Sequence, residues 1–124
     1  MNRPSILVVD DELLIRDLLY DFFTGQGWDI SVAEDGEKAL ELIRTRKYDV
    51  VLADIKMPEM DGLTLTSHLR QSQPQLPIVL MTGFPSVDSA VAALRNKVDD
   101  YIIKPFNINQ LYKLVESRVK GGRE

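Results

Sequence analysis

Four places in this chain carry residue types that could do chemistry together: Asp10-Asp11-Glu12, Asp54, Thr82-Gly83 and Lys104-Pro105. Carboxylates gathered at one point repel, and each raises its neighbours' pKa unless a cation relieves them. Hard oxygen donors with open positions suit Mg2+, which keeps several waters and shares itself with phosphate. A lysine adds a compact positive charge able to grip a phosphate oxygen. A carboxylate nucleophile, a metal to neutralise developing charge and a positioned cation are the parts that phosphoryl transfer onto an aspartate needs. Taken singly, each residue has a blander reading. A strand-end Asp is commonly a cap or turn former, and a lone Thr or Lys there is solvated surface. Only convergence on one edge of the fold separates the two readings.

Each of the four groups ends an apolar run. Ile6-Leu7-Val8-Val9 is continuous and β-branched, the pattern of a strand buried on both faces, and it ends in Asp10. Val50-Val51-Leu52-Ala53 ends in Asp54, Ile78-Val79-Leu80-Met81 in Thr82, and Tyr101-Ile102-Ile103 in Lys104. A weaker strand, Trp28 to Val32, has polar Asp29 and Ser31 alternating in, as an edge strand would. Between the strands lie helical segments. Leu14, Ile15, Leu18, Leu19, Phe22 and Phe23 recur at helical spacing, with Gly25 and Gly27 as a stop. Further helices are expected over 36–46 (Ala39, Leu40 and Ile43 inward), 63–71, 87–96 behind a Ser86 cap, and from an Asn107 cap to about Val119. Pro58 and Asp61-Gly62 mark a turn after Asp54, and Pro74 and Pro77 punctuate the approach to the fourth strand. Five alternating βα units imply an α/β fold, a parallel sheet covered on both faces. In such open sheets ligands bind beyond the carboxyl ends of the strands, where all four groups fall.

The 124 residues suit one domain, and at 44% hydrophobic and 27% charged it can bury a sufficient core unaided. There are no cysteines, which excludes thiol catalysis, disulfides and thiolate metal sites and leans toward a reducing compartment. A net charge of -4 argues against nucleic acid as a direct partner. No apolar run approaches the roughly 20 residues of a membrane helix, and the start Met1-Asn2-Arg3-Pro4 lacks a signal-peptide stretch. The expectation is a cytoplasmic protein with no membrane contact.

The four groups together resemble the response regulator receiver domains of two-component signalling. Ile6-Leu7-Val8-Val9-Asp10-Asp11-Glu12 is similar to their opening strand and acidic pair, and Asp54-Ile55-Lys56-Met57-Pro58-Glu59-Met60-Asp61-Gly62 to their phosphoacceptor loop. Thr82-Gly83 matches the switch threonine and the small residue after it, and Asp99-Asp100-Tyr101 with Lys104-Pro105-Phe106 their last strand and loop. The resemblance runs from about Ser5 to Val119. It implies a flavodoxin-like (βα)5 doubly wound fold with strand order 2-1-3-4-5. It also implies that Asp54 becomes 4-aspartylphosphate. Mg2+, with Mn2+ as a substitute, would be held by Asp11, Asp54 and the backbone carbonyl of Lys56, with Asp10 acting through water. Lys104 would contact the phosphate from beside a cis bond to Pro105. Thr82 would donate to a phosphate oxygen and Tyr101 would rotate into the space it leaves, a bistable element biased by local charge. The implied partners are a sensor histidine kinase or phosphotransfer protein and a C-terminal effector domain. A homodimer through the fourth helix, fifth strand and fifth helix is a further implied output.

Some positions depart from that pattern. Gly83 stands where alanine is commoner, and Lys97-Val98 replaces a usual Gly-Ala pair, which bears on the turn before the last strand. Lys56 and Phe84 occupy positions that in the family influence phosphate lifetime. Thr82 to Val87 is similar to receivers attached to ATP-driven transcription activators, a link to transcription regulation. His68, the sole histidine, reads as a surface residue on the third helix; Trp28 and Phe22-Phe23 read as packing, and Asp61-Gly62 as turn chemistry. Glu12 reads either as a neighbour of the metal or as a favourable charge at a helix N-terminus.

Three competing functions are weaker. A small Mg2+-dependent phosphohydrolase using Asp54 as a transient nucleophile usually carries an aspartate two residues on, where Lys56 stands. An interaction module with a degenerate site would lack one of the key residues, and a flavin protein would have a Ser/Thr/Gly-rich loop after the first strand. The reading is a phosphoacceptor switch rather than a turnover enzyme. The chain is either a diffusible relay piece or, the favoured case, the N-terminal part of a longer regulator, with Lys120 to Glu124 as a tail or the start of a linker.

Overall fold

The computed structural model describes residues 3–123, with side chains to residue 119. Five strands and five helices alternate: β1 (Ser5–Val9), α1 (Leu13–Gly25), β2 (Asp29–Ala33), α2 (Gly36–Thr45), β3 (Val50–Asp54), α3 (Gly62–Ser72), β4 (Ile78–Thr82), α4 (Val87–Arg95), β5 (Asp100–Ile103) and α5 (Ile108–Arg123). All pairings are parallel and the sheet order is β2-β1-β3-β4-β5. The expected doubly wound α/β fold is the fold observed.

The continuous apolar runs are explained by alternation between two cores. Leu7, Val9, Val51, Ala53, Ile78 and Leu80 pack on one face, with Ala39 of α2, Leu65 and Leu69 of α3 and Ala93 of α4. Ile6, Val8, Val50, Leu52, Val79 and Met81 pack on the other, with Leu19 and Phe23 of α1 and Leu111, Val115 and Val119 of α5. A strand covered on both sides has no solvent face, so period-2 polarity vanishes. Each of the Val, Leu, Ile, Phe and Met side chains among them contributes about 1.5–3 kcal/mol by leaving water. At the edge, β2 keeps exposed Asp29 and Val32 beside buried Ala33, the weaker pattern expected there.

Helix ends follow local chemistry. Asp35, Asp61 and Ser86 cap α2, α3 and α4 by accepting from Lys38, Thr64 and Ser89 backbone N–H groups. Asn107 Oδ1 accepts from Asn109 and Gln110 ahead of α5. Gly25 lies inside α1; the stop is Gly27, whose φ of 86° lets Trp28 N–H close back on the Phe23 carbonyl. Trp28 therefore precedes β2 and joins Phe22, Phe23 and Tyr112 in an aromatic cluster, donating Nε1–H to the Tyr112 hydroxyl. Lys97 adopts φ 57°, so the turn that a glycine usually makes is kept by a lysine, and Arg70 donates to its carbonyl. The last helix continues past Val119 to Arg123, so the backbone of residues 120–123 is its final turn; Glu124 lies outside the described residues. None of the described helices is long and apolar enough to cross a membrane.

The order 2-1-3-4-5 reverses between β1 and β3, and the crevice at such a switch point is where open sheets bind ligands. Val9 pairs with Ala53, which sets Asp10 beside Asp54; Thr82 pairs with Ile103, which brings Lys104 to the same edge. The Lys104 N–H continues the ladder onto the Thr82 carbonyl at 2.8 Å.

Candidate functional site

Three carboxylates from two strand ends meet one ammonium. Lys104 Nζ donates to Asp10 Oδ2 at 2.8 Å, Glu12 Oε1 at 3.1 Å and Asp54 Oδ2 at 3.1 Å. Asp10 is fully buried and Asp54 5% exposed, so these charges interact with little screening. Burial pushes the Asp10 and Asp54 carboxyls above their usual value, against the hydrogen bond each accepts from Lys104. The charge of Asp10 adds to the rise at Asp54. For Lys104, burial works to lower the pKa, but its bonds to Asp10, Glu12 and Asp54 outweigh it, and the ammonium is held above the usual lysine value.

The loops are fixed by backbone hydrogen bonds. Asp10 Oδ1 accepts from Glu12 N–H at 2.9 Å, and the Asp10 carbonyl accepts from the Arg16 guanidinium at 2.7 Å. Asp54 Oδ1 accepts from Lys56 N–H at 3.4 Å. The loop after Asp54 returns so closely that Gly62 N–H reaches the Ile55 carbonyl, and a Cβ on Gly62 would overlap the Asp54 carbonyl oxygen. Gly62→Ala is therefore expected to cost about 1–3 kcal/mol in urea unfolding, because backbone rather than a flexible side chain must move. Asp61-Gly62, read as a turn, is a helix cap followed by a steric requirement. Glu59 in the same loop holds φ 67°, a conformation that favours glycine or asparagine.

Thr82 is 1% exposed and its Oγ1 accepts from Phe84 N–H at 3.0 Å. Tyr101 is half-buried, with its hydroxyl 2.8 Å from Ser89 Oγ. The Lys104–Pro105 peptide bond is cis. A Cβ on Gly83 would come no nearer than 4.0 Å to the Lys104 Cβ, so the commoner alanine would fit. Lys56 and Phe84 meet across the site's mouth, the ammonium 5.1 Å from the ring centroid, an exposed cation–π contact of about 0.5–1 kcal/mol.

Asp11 and Glu12 lie on different sides of the cluster, and of the two readings of Glu12 the structure puts its carboxylate beside Asp10 and Asp54. Glu12 is the N-cap residue of α1 but makes no side-chain cap; its carboxylate joins Asp10 and Asp54, with oxygens of all three within 4.8 Å of one another. Asp11 is exposed and lines a shallow cavity of about 440 Å³ with Ile55, Lys56, Met57 and Asp61, on the Lys56 side of the cluster. Arg16 was not singled out in the sequence. Its signal is a cation one helical turn after Glu12, the spacing that lets a first-turn side chain reach back to the preceding loop. His68 is exposed on α3, apart from the cluster.

Buried hard oxygens beside an open acidic cavity are a donor set that fits a divalent cation such as Mg2+. A family model described as the response regulator receiver domain matches residues 6–116. The DNA-binding transcriptional regulator NtrC of Escherichia coli K12 is 38% identical over the whole chain, which spans 26% of that protein. The regulatory protein AtoC of the same organism is 42% identical over 94% of the chain and 25% of its own length. The chain thus spans about a quarter of the curated relatives it matches. A CheY-like receiver domain protein from Methanospirillum hungatei superposes with a TM-score of 0.96 at 26% identity, covering 98% of both chains. The response regulator TrrA of Thermotoga maritima, solved with Mg2+ and beryllofluoride, gives 0.84 at 35% identity over 93% of this chain and 98% of its own. With the phosphoacceptor-type acidic cluster in place at the switch point of this sheet, the chain belongs to the response regulator receiver domains, signalling domains of two-component systems.

Proposed function

We propose that Asp54 accepts a phosphoryl group from the phosphohistidine of a sensor kinase or phosphotransfer protein. An Asp54 oxygen attacks phosphorus, the phosphorus–nitrogen bond breaks, and the imidazole leaves with the electron pair. The observation that carries this reading is the single ammonium of Lys104 bonded to Asp54 and to two further carboxylates. With Asp54 as nucleophile and Lys104 as the phosphate-binding cation, the two would act within one hydrogen bond of each other, which supports this reading. Mg2+, or Mn2+ in its place, would be held by Asp11, Asp54 and the Lys56 carbonyl, with Asp10 acting through water. When bound it supplies neutralisation of the charge on the phosphoryl oxygens.

After transfer, Lys104 turns from the carboxylates to a phosphoryl oxygen. The Thr82 hydroxyl, which in this state accepts from Phe84 N–H, donates to another. Tyr101 moves into the space Thr82 leaves, and the surface of α4, β5 and α5 changes. Exposed Val87, Leu94 and Ile103 on that surface support its use as an output face for an effector or a second copy. The domain assists its own phosphorylation and dephosphorylation and does not turn over a separate substrate. The regulators it resembles are about four times its length, which supports an effector joined after α5.

The test is incubation with acetyl phosphate in Mg2+ or in EDTA, followed by intact mass, beside Asp54→Ala. A gain of one phosphoryl group that needs both Mg2+ and Asp54 is expected. Phosphate released over many turnovers with no adduct would instead point to a phosphohydrolase.

A further inference from the structure

The two residues of the proposed switch are tied to opposite ends of one loop. At its start, Phe84 N–H donates to Thr82 Oγ1 at 3.0 Å. At its end, the Tyr101 hydroxyl meets Ser89 Oγ at 2.8 Å, and Ser89 is also half of the capping box that begins α4. Ser89 N–H donates to Ser86 Oγ at 3.0 Å, Ser86 N–H to Ser89 Oγ at 3.3 Å, and Ser89 Oγ lies 3.1 Å from the Ser86 carbonyl. One hydroxyl therefore serves the helix cap and the Tyr101 ring together. The helix it serves is lightly held. α4 has nine residues and Ala93 is its one buried position, while Val87 is 78% and Leu94 75% exposed. A helix of that length is marginal without tertiary anchors. The residue usual at this place in a capping box is Glu or Gln; here a short serine hydroxyl makes both the cap bonds and the Tyr101 contact.

We propose that Ser89 is a positioning residue for the switch: its hydroxyl latches Tyr101 in its half-exposed position and couples that ring to the first turn of α4. This rests on the proposal that Tyr101 moves inward on phosphorylation. Inward movement breaks the Tyr101–Ser89 bond, while the turn of Thr82 toward phosphate releases Phe84 N–H. The β4–α4 loop then loses both ties at once, and α4 is free to shift. The latch belongs to the unphosphorylated state only, so removing it favours the phosphorylated form by the worth of one net hydrogen bond.

The experiment measures affinity for beryllofluoride with Mg2+, an inorganic mimic of the phosphoryl group, by calorimetry. Wild type, Ser89→Ala, Tyr101→Phe and the double variant are compared. Alanine is a better helix former than serine, which offsets the lost cap and keeps α4 folded. Ser89→Ala is expected to bind roughly five-fold more tightly than wild type. In the Tyr101→Phe background the same substitution should change nothing, because the shared contact is already gone. An equal effect of Ser89→Ala in both backgrounds would reduce it to capping and overturn the latch. So would unchanged or weaker binding by Ser89→Ala while the wild type binds well. Failure of the wild type itself to bind would strike the phosphoacceptor reading, and the latch with it.

Discussion

Lys104→Ala is expected to take up phosphate from acetyl phosphate about 10²–10³-fold more slowly than wild type at saturating Mg2+. Among the described residues Lys104 supplies the one ammonium bonded to Asp54, so its removal takes away the positive charge held against that carboxylate. The same change should lower stability by about 3 kcal/mol in EDTA at neutral pH, because buried Asp10 and Asp54 lose their partner. The two effects separate by pH. Burial already holds both carboxyls above their usual pKa, and loss of Lys104 removes what lowers them. An acid whose folded pKa exceeds its unfolded value is protonated first in the native state, so acidification stabilises that state. The urea midpoint of Lys104→Ala should therefore recover as pH falls from neutral toward the carboxylate range, more steeply than that of wild type. A flat profile would show that the carboxylates are not the source of the instability.

Asp54→Asn is expected to abolish the Mg2+-dependent phosphoryl adduct and yet to yield a more stable metal-free protein. The amide keeps the shape of the side chain but cannot act as the nucleophile. It also removes one of two neighbouring buried negative charges, leaving Lys104 paired with Asp10 and Glu12. The sign follows from the raised pKa of Asp54: its ionisation opposes folding, the opposition is complete above the folded pKa, and it fades as pH falls toward the unfolded one. The gain over wild type should thus be largest at neutral pH in EDTA and shrink on acidification. Adding Mg2+ should stabilise wild type and narrow the difference. Thermal unfolding at two pH values, with and without Mg2+, reads all of these. A less stable Asp54→Asn at neutral pH would mean that the Lys104 bond outweighs the burial of the charge.

Much of this was legible along the chain because the information is local. A run such as Val50-Val51-Leu52-Ala53 with no polar member has no solvent face to offer, so a central strand with helices on both sides is the arrangement that satisfies it. Asp10, Asp54, Thr82 and Lys104 could be placed on one edge because each directly follows such a strand, and parallel strands all end on the same side. The caps at Ser86 and Asn107 were readable for a similar reason: a short polar side chain serves N–H groups two or three residues ahead, wherever the helix packs.

What lay beyond the sequence depends on direction and on what is packed opposite. Six apolar positions of α1 share helical spacing, yet Leu19 and Phe23 are buried while Leu14 is 81% and Leu18 48% exposed. Periodicity marks an apolar stripe wider than the part the sheet covers. Asp11 and Glu12 are adjacent and chemically alike, and only the turn into α1 decides that Glu12 meets Lys104 while Asp11 faces the Lys56 side. Asp61-Gly62 gave no hint that its glycine is pressed against the Asp54 carbonyl, since that contact joins a helix start to a strand end through a folded loop. The Tyr101–Ser89 bond likewise spans two elements brought together by the sheet. Short-range polarity and side-chain volume determined the elements and the edge where the chemistry gathers. Which carboxylate meets the lysine, and which hydroxyl holds the tyrosine, was decided by the tertiary structure, because hydrogen bonds between elements depend on orientations that no single element contains.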